Sequence, residues 1–216
     1  MVKVYKHAHV QEIQQFYGEL LAGYSKWTVK EHLQLLSERL LEGYRAQQTL
    51  VTREINNYHP AWLGRPADEI LNAGLDRSDM RQVIASEYGF ASWEKVWSVD
   101  RRYDPNFEEA LDHLLNGDEE NLKEILASFP ELAQQRSVYD HGATLLHYVG
   151  SNGVELWRQQ VPMNLADLTQ ILLHAGAKNT ATMEVYGGAF TALQLFETSA
   201  HPYEAGVDAE VLPMLR

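Results

Sequence analysis

Short apolar stripes at helical spacing, each soon closed by a glycine, constrain this chain more than any other feature of its sequence. In the second half, Phe107, Ala110, Leu111, Leu114 and Leu115 lie on one helical face and stop at Gly117. Asp118 then offers a cap for Leu122, Ile125 and Leu126, with Pro130 beyond their end. Thr144 precedes Leu145, Leu146 and Tyr148, and Gly153 stops them; Asn164 precedes Leu165, Leu168, Ile171 and Leu172, and Gly176 stops those. The pattern begins again at Thr191 with Leu193, Leu195 and Phe196, after Gly187 and Gly188. Helices this short cannot stand alone and must pack in pairs.

The first half carries longer stripes. Val10, Ile13, Phe16, Tyr17, Leu20, Leu21 and Tyr24 predict one helix of about four turns. Thr28 and Glu31 have the form of a capping box ahead of Val29, Leu33, Leu36, Leu40 and Tyr44. Further helices are expected from about Gln47 to Tyr58, after Pro66 with Ile70 and Leu71, around Met80, Val83, Ile84 and Tyr88, and after Ser92 with Trp93, Val96 and Trp97 inward. The expected fold class is all-α, with a helical N-terminal region over 1–104 and short helix pairs over 105–216.

Charge separates the same two regions. Of the 216 residues, 1–104 hold 13 Lys and Arg against 14 Asp and Glu, a balance of -1, whereas 105–216 hold 5 against 16, a balance of -11. An acidic surface repels phosphate backbones and anionic membranes and favours basic partners, so a protein with a basic patch is the expected partner, with no nucleic acid and no membrane. Cysteine is absent, which excludes disulfides, thiolate metal sites and thiol nucleophiles. The N-terminus, Met-Val-Lys-Val-Tyr-Lys-His, lacks an apolar leader core, and the longest uncharged stretch, His141 to Val154, is far shorter than the roughly 18 residues of a membrane span. A soluble cytoplasmic protein is the expectation.

The segment Gly142-Ala143-Thr144-Leu145-Leu146-His147-Tyr148-Val149, with Gly153 after it and Ile171-Leu172-Leu173 leading into Gly176-Ala177, resembles an ankyrin repeat. In that family the pattern is Thr-Pro-Leu-His-x-Ala over about 33 residues. Here Leu145 replaces the proline and Val149 the alanine, and Thr144 to Thr191 spans 47 residues, the excess falling mainly in 154–166. The next unit has Gln194 where the histidine would stand, and the unit around Gly117 lacks both threonine and histidine. Two further strings, Glu87-Tyr88-Gly89-Phe90-Ala91-Ser92-Trp93 and Ala200-His201-Pro202-Tyr203-Glu204-Ala205-Gly206-Val207, look like those of bacterial ankyrin-repeat proteins with a helical segment ahead of the repeats. The resemblance implies degenerate units at about 105–137, 138–183 and 184–216, and a non-catalytic protein–protein interaction module.

In such an array Thr144, His147, Gly153, Gly176 and Thr191 are structural, and the turn tips are free to hold a partner. Tyr139, Asp140, His141, Glu184, Tyr186 and Phe190 are the expected contacts, aromatics beside carboxylates suiting a basic and apolar partner surface. No catalytic, cofactor or metal site is expected. There is no nucleophile elbow, phosphate loop or dinucleotide fingerprint, no His-Glu-x-x-His, and Glu108, Glu109, Asp112 and Asp118 to Glu120 read as solvated faces and caps.

Three other readings compete. The 154–166 insertion, with Trp157, Arg158 and Met163, suits a small-molecule or enzymatic site in a groove between the helical region and the repeats, since loops longer than their family's norm often carry function. Residues 78–98 have the spacing of a helix-turn-helix, although its second helix would offer Trp93, Glu94, Lys95 and Trp97 where phosphate-binding side chains belong. At the C-terminus, Val211, Leu212, Met214 and Leu215 are apolar, Pro213 limits helix continuation, and a full second helix does not fit; this end is expected to fold back, to meet a second copy, or to mark a truncation.

Overall fold

In a computed structural model describing residues 2–216, the chain is mainly helical and divides into two compact units. One comprises the residues up to Gln11 with Tyr103–Arg216, the other Glu12–Arg102. The first strand, expected in neither region, explains why the opening residues go with the C-terminal unit: β1 (Val4–Lys6) pairs antiparallel with β2 (Gln160–Pro162), Tyr5 opposite Val161.

α1 (Ala8–Tyr17) carries the chain from one unit into the other and is shorter than its stripe suggests. Gly18 and Gly23 adopt φ of +48° and +66°, which breaks the helical ladder, and 3₁₀ turns at Gly18–Leu20 and Tyr24–Lys26 replace the expected last turns. α2 (Val29–Arg45) begins at the expected box: the Thr28 N–H donates to Glu31 Oε2 at 2.8 Å and Thr28 Oγ1 accepts from the Glu31 N–H at 3.4 Å. Leu33, Leu36 and Leu40 of α2 are fully buried, and α3 (Leu50–Tyr58) and α5 (Arg77–Glu87) pack against it. A side chain at Gly43 would meet Val51 Cγ1 at 2.7 Å and the Phe16 ring at 2.8 Å, so only glycine lets α3 approach this closely. α4 (Ala67–Leu71) is anchored by the Tyr44 hydroxyl, which donates to the Ile70 carbonyl at 2.9 Å. α6 (Trp93–Ser98) buries Trp93 and Val96 but leaves Trp97 49% exposed, against the expectation that both tryptophans point inward.

The C-terminal unit is built from helix pairs. α7 (Pro105–Asn116) is capped by Asp104, Gly117 turns the chain at φ +78°, and Asp118 caps α8 (Glu119–Ser128). α9 (Leu145–Tyr148) and α10 (Leu165–His174) form the second pair; α11 (Ala192–Thr198), α12 (His201–Ala205) and α13 (Asp208–Leu215) complete the unit. α9 packs on both α7 and α11, while α10 packs on both α8 and α13, so first members stack on first members and second on second. One core runs through all three pairs, with Leu111, Leu114, Leu145, Leu168, Leu195, Phe196 and Val211 in it.

Several expectations change here. Strands exist, since β3 (Thr182–Val185) and β4 (Gly188–Thr191) form a hairpin closed by Tyr186 at φ +55° and Gly187 at φ +76°, the paired positive values of a type I′ turn. Asn164 makes no side-chain cap; its Nδ2 donates instead to the Gly117 carbonyl at 3.0 Å and to Glu119 Oε1 at 2.7 Å. A second helix does fit at the C-terminus: α13 continues through Pro213, a position where only one intrahelical bond is lost. Val211 and Leu215, i and i+4 on α13, are 0% and 2% exposed within the unit's own core, which is the expected folding back, while Leu212 and Met214 are half-buried. Among the described residues no helix is long and apolar enough to cross a membrane.

Candidate functional site

The β3–β4 hairpin and the turn before α9 are positioned by their helix starts. Thr144 is extended at φ -91°, ψ 167°, and its N–H donates to His147 Nδ1 at 3.0 Å. Because Nδ1 accepts, the ring proton lies on Nε2, which donates to the Ala181 carbonyl at 3.1 Å. Burial, opposed by that hydrogen bond and reinforced by Arg136, pushes the imidazole down to about 4, so it is neutral at pH 7. One histidine thus closes its own helix start and ties down the segment entering the hairpin. At α11 the Thr191 N–H donates to Gln194 Oε1 at 2.9 Å and the Gln194 N–H to Thr191 Oγ1 at 3.3 Å, the same box without the second reach. The two turn segments are linked by the Glu184 N–H, which donates to the His141 carbonyl at 2.8 Å.

The six expected contact residues separate into two sets. Glu184 is exposed, Tyr186 is 62% exposed with its hydroxyl donating to Asn152 Oδ1 at 2.7 Å, and Phe190 is half-buried with its ring edge-on to Tyr186 at 6.3 Å. Tyr139 and His141 are 2% and 1% exposed and are not surface residues, while Asp140 between them is half-buried. The Tyr139 ring meets Tyr103 edge-on at 6.0 Å, and its hydroxyl donates to the Tyr103 oxygen at 3.3 Å. His141 Nδ1 accepts from the Ala143 N–H at 3.1 Å, and its Nε2 faces Glu155 Oε1 at 3.4 Å.

His141 thereby meets the insertion, which is itself inside. Residues 154–162 are all buried, the 3₁₀ turn Leu156–Arg158 among them, and only at Met163 does the chain reach 42% exposure. The expected functional loop is therefore core, because Val154, Leu156, Trp157 and Val161 leave too little polar surface for it to stand in water. Its charges are paired inside. Arg158 Nη2 lies 2.5 Å from Glu108 Oε2 and Nη1 3.5 Å from Glu155 Oε1, the Tyr148 hydroxyl donates to the same Glu155 oxygen at 3.1 Å, and the guanidinium sits 4.4 Å from the Trp157 ring centre. Glu108 is accordingly no solvated face residue; it anchors the insertion to α7. A histidine, two carboxylates, an arginine and a tyrosine have the composition of a catalytic cluster, but Glu155, His141 and Arg158 are sealed at 0 to 1% exposure, and the arrangement holds packing in place. The sequence carried a signal for this in the pairing of Glu155 with Arg158 inside an otherwise apolar run.

In the helical unit, α6 of the helix-turn-helix reading turns Glu94, Lys95, Trp97 and Ser98 to solvent, a face with one cation, and Arg81 lies 5.3 Å from the buried Trp93 ring. Comparison of the chain with family models, with curated proteins and with solved structures gave no match.

Proposed function

We propose that residues 105–216 form a divergent ankyrin-like array of the bacterial type and act as a non-catalytic, cytoplasmic protein-interaction module. The observation that carries the reading is the repetition of one local device: Thr144 with His147 and Thr191 with Gln194 close reciprocal boxes after successive turn segments, and those segments are joined through Glu184 and His141. Arrays of this kind bind through tips that packing does not constrain. Here the exposed tip is Tyr186 and Gly187 with Glu184 beside it, an aromatic ring and a carboxylate on the half of the chain that carries -11. That combination suits a partner segment with basic and apolar side chains, the charge steering encounter and the ring supplying contact area.

A photocrosslinking residue at position 186, expressed in the source cell, is expected to trap a protein partner. Retention of that partner by the native chain, and its loss from a Glu184→Lys/Tyr186→Ala double variant, supports the tip. Undiminished retention by the double variant moves the surface elsewhere.

A further inference from the structure

Cations are scarce in the C-terminal half, and two of its five lie together. Lys123 pairs with Glu119 at 3.6 Å and Arg158 is buried, whereas Arg136 and Lys178 both line a cleft of about 230 Å³ with Gln134, Thr144, Thr180 and Ala181. No carboxylate lines this cleft, although the half holds 16 acidic residues, and neither cation is ion-paired among the described residues. Arg136 is also held in place: its Nη1 donates to the Gly142 carbonyl at 2.6 Å and to the Thr182 carbonyl at 2.8 Å. That leaves the Nε and Nη2 donors of a fixed, planar guanidinium without an acceptor among the described residues, with the ammonium of Lys178 on the same cleft. A guanidinium immobilised in advance loses little freedom when it meets an oxyanion, and the fork matches carboxylate and phosphate geometry.

We propose that this cleft binds an oxyanion carried by the partner, either the carboxylate of an acidic side chain or the phosphate of a phosphorylated one. The identity of the carrier rests on the interaction-module reading; the cleft itself does not. The partner segment then has mixed charge, basic and apolar residues at the Tyr186 tip and one anionic group at Arg136 and Lys178.

Phosphate and acetate titrations of the ¹⁵N-labelled full chain, against chloride at matched ionic strength, test the site. Saturable amide shifts at Gln134, Lys178, Thr180 and Ala181 are expected with an oxyanion and not with chloride. Lys178→Gln is expected to weaken the midpoint about threefold to fivefold, the size of one exposed charged contact. Lys178 is the position to change because Arg136 also holds two turn segments together. Saturation by both anions assigns a plain acidic side chain; saturation by phosphate alone assigns a phosphorylated one. Shifts that stay linear and equal to those in chloride, or a Lys178→Gln chain that titrates unchanged, overturn the proposal. A Tyr186→Ala chain titrates like the native one, so loss of the tip and loss of the cleft read out separately.

Discussion

Two equally buried carboxylates, one in each unit, sit in opposite electrostatic states. Glu155 in the C-terminal unit is 0% exposed, and although burial pushes its carboxyl up, Arg158 and His141 draw it below the usual range. Glu54 on α3 is also 0% exposed, neither of its oxygens has a hydrogen-bond partner, and burial, followed by the Glu87 carboxylate on α5, pushes it well above that range. A buried carboxylate stays ionised only where a cation is built beside it. The C-terminal unit holds its insertion with a charge network, and the helical unit carries a neutral acid in its core.

The most damaging way to break this contrast is to take the cation away. Arg158→Met leaves Glu108 and Glu155 buried without compensation and is expected to cost the C-terminal unit about 3–5 kcal/mol in urea unfolding. Replacing the whole set, Arg158→Met with Glu108→Leu and Glu155→Leu, is expected to recover much of that loss, because no uncompensated charge remains. A single Arg158→Met costing under about 1 kcal/mol removes the network from any structural role.

The second test sets the two units against each other in pH. Glu54 has a raised folded value, so its contribution is fully present below the unfolded carboxylate range near pH 4 and is lost as pH rises through the folded value. Glu155 has a lowered one, so its contribution is present above that range and is lost as pH falls. Through these two carboxylates alkali acts on the core of the helical unit and acid on that of the C-terminal one. Glu54→Gln is expected to flatten the alkaline loss, and Glu54→Leu to stabilise the helical unit by about 1–2 kcal/mol at pH 8, by removing an unsatisfied buried polar group. Parallel pH profiles for residue-specific probes in the two units rule out this assignment.

The helices were legible because their signals are local. The Thr28 and Glu31 box, the Asp118 cap and the glycine stop at Gly117 depend on residues a few positions apart, and each stands as read. The stripe before Tyr24 misled because apolar spacing continued past Gly18, while the chain's path was set by the left-handed backbone there. Of the candidate surface, Glu184 and Tyr186 were legible and Tyr139 and His141 were not. Tyr139 to Gly142 has the composition of an exposed turn, but Tyr139 packs on Tyr103 and His141 on Glu155 of the insertion, whose anchor Glu108 lies about fifty positions upstream of Arg158. The pairing of β1 with β2 was hidden for the same reason, as two three-residue strands far apart in sequence carry no pattern of their own.

A smaller effect separates the two helix-start boxes. Thr144→Ala and Thr191→Ala each remove a cap, which is expected to cost about 1 kcal/mol in thermal unfolding. His147→Ala removes the cap partner and the tie to Ala181 together, leaves polar groups unsatisfied in a buried site, and is expected to cost about 2–3 kcal/mol. Gln194→Ala, on an exposed position with no second tie, is expected to cost under about 1 kcal/mol. Equal losses at His147 and Gln194 contradict the assignment of the second reach to His147.

The smallest stability effect belongs to the residue with the largest proposed role in binding. Tyr186 is 62% exposed, and its side-chain hydrogen bond to Asn152 lies at the surface, where water replaces the contact when the ring is cut back. Tyr186→Ala is expected to change stability by no more than about 0.5 kcal/mol, as surface substitutions away from caps and cores do. The positive φ of +55° at this position belongs to the turn and is carried by the native residue already, so alanine inherits the strain without adding to it. Tyr139 is the control: the same side chain at 2% exposure, packed on Tyr103, is expected to cost about 3–5 kcal/mol when truncated to alanine. A Tyr186→Ala chain that melts with the native one and loses the crosslinked partner separates binding from folding at the hairpin tip. A Tyr186→Ala chain that unfolds like the Tyr139→Ala one makes Tyr186 a packing residue and removes the tip from the binding surface.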